Sequence, residues 1–147
     1  MTNTKITILV VDDEPLIRIN AVDLIISAGF LAVEAKNADG AIQILEKRSD
    51  VLLVFTDVNM PGTMDGIKLC HYIRDRWPLV ELIAVSGNAD VAENQFPVGA
   101  MFFSKPYQDS TIVGAVTQLL TACEKSEPDW IYSVCGKAAR GMLPVHP

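Results

Sequence analysis

From residue 6 onward, apolar runs of strand length alternate with amphipathic stretches of helical period, and no other feature limits the fold as much. Ile6–Val11 is a near-continuous apolar run, as expected of a strand covered on both faces. Over Glu14–Ala28, residues Ile17, Ala21, Leu24 and Ala28 recur at helical spacing, with Pro15 tolerated in the first turn and Gly29 closing the end. Phe30–Glu34 reads as a second strand, and Asn37 then caps a helix whose buried stripe is Ala38, Ala41, Ile42 and Leu45. The third strand spans Val51–Thr56. A loop with Pro61, Gly62 and Gly66 leads from it into a helix that ends near Trp77, because Pro78 forbids simple continuation. Leu82–Val85 is the fourth strand. The stretch from Gly87 to Gly99, with Pro97 near its end, leaves room only for a short helix before a fifth strand at Ala100–Phe103. From Asp109, the residues Ile112, Val116, Leu119 and Leu120 mark a fifth helix running to about Cys123. Repeated βαβ units of this kind build an α/β fold around a doubly wound parallel sheet.

Every polar group of chemical interest follows one of the apolar runs. Asp12 and Asp13 follow the first strand, Asp57 the third, Ser86 the fourth and Lys105 the fifth. The strands of an open parallel sheet end along one edge, and ligands bind outside those carboxyl ends where the strand order reverses. Taken singly, each residue has an ordinary explanation as a helix cap, a turn or a solvated loop charge. Taken jointly, three carboxylates crowd negative charge into a small volume, which is unfavourable unless a cation compensates. Oxygen ligands without His or Cys nearby favour a hard ion. Magnesium takes one or two carboxylates and a phosphate, and manganese is its substitute. A carboxylate beside such an ion, a hydroxyl and an ammonium is equipped for phosphoryl transfer, where positioning and charge neutralisation supply most of the catalysis. On this reading Asp57 is the nucleophile. The metal and Lys105 absorb charge on the incoming group, and Ser86 donates a hydrogen bond to one of its oxygens.

Four segments, VVDDE at Val10–Glu14, TDVNMPGTMDG at Thr56–Gly66, VSG at Val85–Gly87 and FFSKP at Phe102–Pro106, occur in an order and spacing that resembles the receiver domains of two-component response regulators. The resemblance covers about residues 5–123. It implies a five-stranded sheet of order 2-1-3-4-5 and a cis bond between Lys105 and Pro106. It also implies that Asp12, Asp13, Asp57 and the main-chain carbonyl of Asn59 hold the metal. Asp57 is then the phosphoacceptor, Lys105 neutralises charge, and Ser86 and Phe102 are the switch residues. Phe102 reads equally well as a core side chain of the fifth strand. Two departures from the family stand out. Gly62-Thr63-Met64-Asp65-Gly66 holds one residue more than usual, so that loop is expected to bulge without moving Asp57. The interval from Ser86 to Lys105 is short and contains Pro97, so the fourth helix is expected to be reduced or irregular.

The implied function is a phosphoacceptor module of a two-component phosphorelay. It takes a phosphoryl group from a histidine kinase or histidine phosphotransferase and changes its affinity for a downstream protein. It catalyses only its own phosphorylation and dephosphorylation. One alternative is an aspartate-nucleophile phosphatase of the haloacid-dehalogenase type. That chemistry wants a second acid two residues after the nucleophile, where this chain has the amide Asn59. The other is a binding module that works without phosphorylation, which the full set of acceptor groups disfavours.

Composition narrows the field further. A formal charge of −6 without a Lys/Arg cluster argues against direct nucleic-acid binding. Apolar runs are interrupted well short of the ~20 residues of a membrane span. No signal peptide is expected, and Cys70, Cys123 and Cys135 match neither a disulfide framework nor a zinc site, so a cytoplasmic protein with reduced thiols is expected. The domain is expected to occupy 1–123, with an extension at 124–147. In that extension Ser126-Glu127-Pro128-Asp129 has the form of a capping box, and a sixth helix is expected from about Glu127 to Arg140. Its stripe of Ile131, Val134, Cys135 and Ala138 would dock on the domain's own flank or on a second copy, giving a homodimer.

Overall fold

The computed structural model describes residues 6–125, with side chains described through residue 120. In chain order the elements are β1 (Thr7–Val11), α1 (Pro15–Ser27), β2 (Leu31–Ala35), α2 (Ala38–Lys47), β3 (Val51–Asp57), α3 (Gly66–Arg76), β4 (Glu81–Ser86), β5 (Met101–Ser104) and α4 (Asp109–Lys125). Side chains alternate between the faces of a sheet, and here both faces are apolar. Ile8 and Val10 of β1, Leu53 and Phe55 of β3, and Ile83 and Val85 of β4 enter one core layer. Leu9, Val11, Val54, Leu82 and Ala84 enter the other. The first layer is closed by Ala21 and Ile25 of α1 and by Ile112, Val116 and Leu120 of α4. The second is closed by Ala38, Ala41 and Leu45 of α2 and by Leu69, Cys70 and Ile73 of α3. These near-continuous apolar strands are therefore buried from both sides, as a parallel sheet requires.

All strand pairs are parallel, in the order β2-β1-β3-β4-β5. The chain starts in the middle, runs outward to β2, and then crosses to the other side of β1, so the order reverses between β1 and β3. Local signals start and stop the helices where the sequence predicts. Pro15 opens α1, and Gly29 turns the chain toward β2 at a φ of 101°. The Asn37 side chain accepts the Gly40 amide at 2.8 Å, and the Asp65 side chain accepts the Lys68 amide at 2.9 Å.

Two expectations need adjustment. Strands β3, β4 and β5 extend to Asp57, Ser86 and Ser104, beyond the apolar runs, because polar residues at these ends still pair: Asp57 lies opposite Val85 and Ser86 opposite Ser104. Five helices by residue 123 become four α-helices among the described residues. The short fourth one is replaced by a single 3-10 turn at Glu93–Gln95. In place of a helix, the buried Phe96 seals the sheet by stacking on Phe102 with centroids 5.2 Å apart, and the His71 Nε2 atom bonds the Gln95 carbonyl at 2.8 Å. The expected helix at Glu127–Arg140 and its docking lie outside the described residues. No helix among the described residues is long and apolar enough to cross a membrane.

Candidate functional site

Register decides which side chains meet. Val11 pairs with Thr56, Asp57 with Val85, and Ser86 with Ser104, so four adjacent strands reach the same edge together. The residues that follow, Asp12, Asp13 and Lys105, emerge beside Asp57 and Ser86. Asp12, Asp13 and Asp57 each offer an oxygen within 4.8 Å of the other two. Asp12 and Asp57 are buried and Asp13 is half-buried. The Lys105 ammonium stands 3.2 Å from Asp57 Oδ1. This contact lacks hydrogen-bond alignment, and Oδ1 is a buried oxygen with no hydrogen-bond partner. Lys105 is fixed from behind, since its main-chain N–H donates to the Ser86 carbonyl at 2.8 Å. The Lys105–Pro106 bond is cis, as the family resemblance implies. Ser86 is buried, and its hydroxyl oxygen accepts the Asn88 amide at 3.0 Å.

Electrostatics follow from burial. Burial pushes the Asp12 carboxyl above its ordinary value. The Glu14 amide, which donates to Asp12 Oδ1 at 2.9 Å, pulls it back, and the charge of Asp57 raises it further. Three carboxylates facing one ammonium, with a buried carboxylate oxygen left unbonded, form a donor set that suits a hard divalent cation. Magnesium fits these residues on chemical grounds.

Six side chains and one carbonyl are expected here from the sequence. Five of the side chains (Asp12, Asp13, Asp57, Ser86 and Lys105) converge. Asn59 lies two residues past Asp57 in the following loop with its side chain exposed. Phe102 is half-buried one register step from the site, stacked on Phe96 and set opposite Ala84, so it belongs to the adjoining core layer. Two further residues were not anticipated. Arg18, one turn into α1, donates to the Asp12 carbonyl at 2.9 Å and pairs with Glu34 at 2.7 Å, which anchors the acidic loop. Tyr107 packs edge-on against Phe55 with centroids 6.1 Å apart. Its phenol is pushed up by burial and then by the nearby Asp12 charge. Neither was readable in the sequence: the Arg18 contact with the Asp12 carbonyl and the position of Tyr107 after Pro106 both depend on the tertiary path.

The site lies at the switch point of a doubly wound parallel sheet, outside the carboxyl ends of the strands, where ligands of this class of α/β fold bind. Within that class, the chain belongs to the response regulator receiver domain family, whose model matches residues 8–117. It is 32% identical over 123 residues to an NtrX-like response regulator of Rickettsia bellii, a match covering 81% of this chain and 25% of that protein. It is 33% identical over 118 residues to the sensor kinase CckA of Brucella abortus, covering 78% of this chain and 12% of that protein. The chain thus spans a quarter or less of these relatives. Among solved structures it resembles the response regulator protein TrrA of Thermotoga maritima, crystallised in complex with Mg2+-BeF. The TM-score is 0.72 and the identity 25%, over 78% of this chain and 99% of that one.

Proposed function

We propose that this chain is a phosphoacceptor of a two-component phosphorelay, with Asp57 as the residue that is modified. The observation that carries this reading is the buried, unbonded Oδ1 of Asp57, 3.2 Å from the Lys105 ammonium and within 4.8 Å of oxygens from Asp12 and Asp13. An Asp57 carboxylate oxygen attacks the phosphorus of a phosphohistidine on a kinase or phosphotransferase. The new P–O bond forms as the P–N bond breaks, and the imidazole leaves with the bonding pair. Lys105 takes up charge on one phosphoryl oxygen, and the Ser86 hydroxyl donates to another. Asp12, Asp13, Asp57 and the Asn59 carbonyl would hold magnesium, which when bound supplies charge neutralisation at the phosphoryl oxygens. The chain acts on itself, and its output is altered affinity for a downstream protein.

The test is intact-mass spectrometry after incubation with acetyl phosphate and magnesium. A gain of one phosphoryl group is expected, and excess chelator should abolish it. Undiminished labelling in chelator would contradict the metal's role.

A further inference from the structure

We propose that Gly66 is a positioning residue for the reaction at Asp57, acting through the Asp57–Val58 peptide; the inference rests on the phosphoacceptor reading above. Gly66 is buried and opens α3. Its backbone does not need glycine, because the glycines at positive φ are Gly29, Gly62 and Gly99. It needs the space. A β-carbon at Gly66 would overlap the carbonyl oxygen of Asp57 and stand 2.6 Å from the Val58 Cα and 2.9 Å from the Asp57 carbonyl carbon. All three obstacles are main-chain atoms that no rotamer can move.

The same peptide and the one after it are gripped elsewhere. The Val58 amide donates to the Val85 carbonyl at 3.0 Å, the Thr56 hydroxyl donates to the Asp57 carbonyl at 2.9 Å, and the Gly66 amide donates to the Val58 carbonyl at 2.8 Å. A side chain at 66 therefore shifts either α3 or Asp57. A misplacement of about 1 Å at a reacting group lowers rates by about a hundred-fold. Gly114, with nothing within 4 Å of its would-be β-carbon, is the matched control.

The experiment measures labelling of the full chain by acetyl phosphate, and its dependence on magnesium concentration, in wild type, Gly66→Ala and Gly114→Ala, with circular dichroism to establish folding. Folded Gly66→Ala should label about a hundred-fold more slowly and need more magnesium for half-maximal rate, while Gly114→Ala keeps both wild-type values. A folded Gly66→Ala with wild-type rate and magnesium dependence, even if it melts earlier, would reduce Gly66 to a purely structural role and overturn the inference. Should Gly66→Ala not fold, Thr56→Val removes another grip on the same carbonyl with little change of shape. A slowed rate there supports the inference and a wild-type rate overturns it. Absence of labelling in wild type would instead sink the phosphoacceptor reading itself.

Discussion

Lys105 faces a carboxylate with its side chain and a hydroxyl-bearing residue with its main chain: the ammonium is 3.2 Å from Asp57, and the amide bonds the Ser86 carbonyl at 2.8 Å. On the proposed phosphoacceptor reading, Lys105 thereby couples charge arriving at Asp57 to both β4 and β5. Lys105→Ala should still accept phosphate but roughly a hundred-fold more slowly, the loss typical of one preorganised charge-stabilising donor. Ser86→Ala should slow it about ten-fold, the worth of one hydrogen bond. Both should shrink the phosphorylation-dependent NMR shifts of amides between residues 86 and 105. Full wild-type shifts in both variants would break the proposed coupling. Residues like these were legible in the sequence because each directly follows an apolar run, so strand polarity alone brings them to one edge. Gly66 and Arg18 were not legible as site residues. What matters about them is contact with Asp57 and Asp12 across the fold, which no local spacing encodes. Cys70 is the third kind of case: it reads as an ordinary thiol, yet burial pushes it up to about 12.

At the scale of elements, caps and breakers were read well and the segment between β4 and β5 only in part. Asn37, Gly29 and Pro78 act within a few residues of themselves, so local rules suffice. The replacement of a helix by Phe96 stacked on Phe102 is a tertiary substitution, visible in the sequence only as a short interval with a proline. The opposite end of the sheet offers a separate test. Asp50 joins the starts of two strands: its carboxylate accepts from the Arg48 guanidinium at 2.7 and 2.9 Å and from the Thr7 hydroxyl at 3.0 Å. The Arg48 bond holds it down at about 2, below its ordinary 3.8. A carboxyl lowered in the folded state contributes stability above its unfolded value and loses it as pH falls through the folded one. Asp50→Asn should therefore melt slightly below wild type at pH 7, by less than about 1 kcal/mol given the exposure of the pair. The gap should close as pH falls from about 4 to about 2. A gap that stays constant down to pH 2 would show that the carboxylate's charge contributes nothing.

For the molecule as a whole, two apolar layers enclose the sheet, and its reversal of order between β1 and β3 leaves one edge where side chains from four strands can meet. The fold class followed from alternating apolar periods, while the order of the strands came from the family resemblance, since period says nothing about which strands are neighbours. On the phosphoacceptor reading, this edge presents Asp57 to a phosphoryl donor. The most direct measurement treats phosphorylated wild type and Asp57→Asn with hydroxylamine, which converts an aspartyl phosphate to a hydroxamate, and maps the product by peptide mass spectrometry. The phosphoacceptor reading predicts a hydroxamate at Asp57 in wild type and none anywhere in the variant, which keeps the fold. A hydroxamate at another carboxyl, or equal labelling of Asp57→Asn, would contradict it.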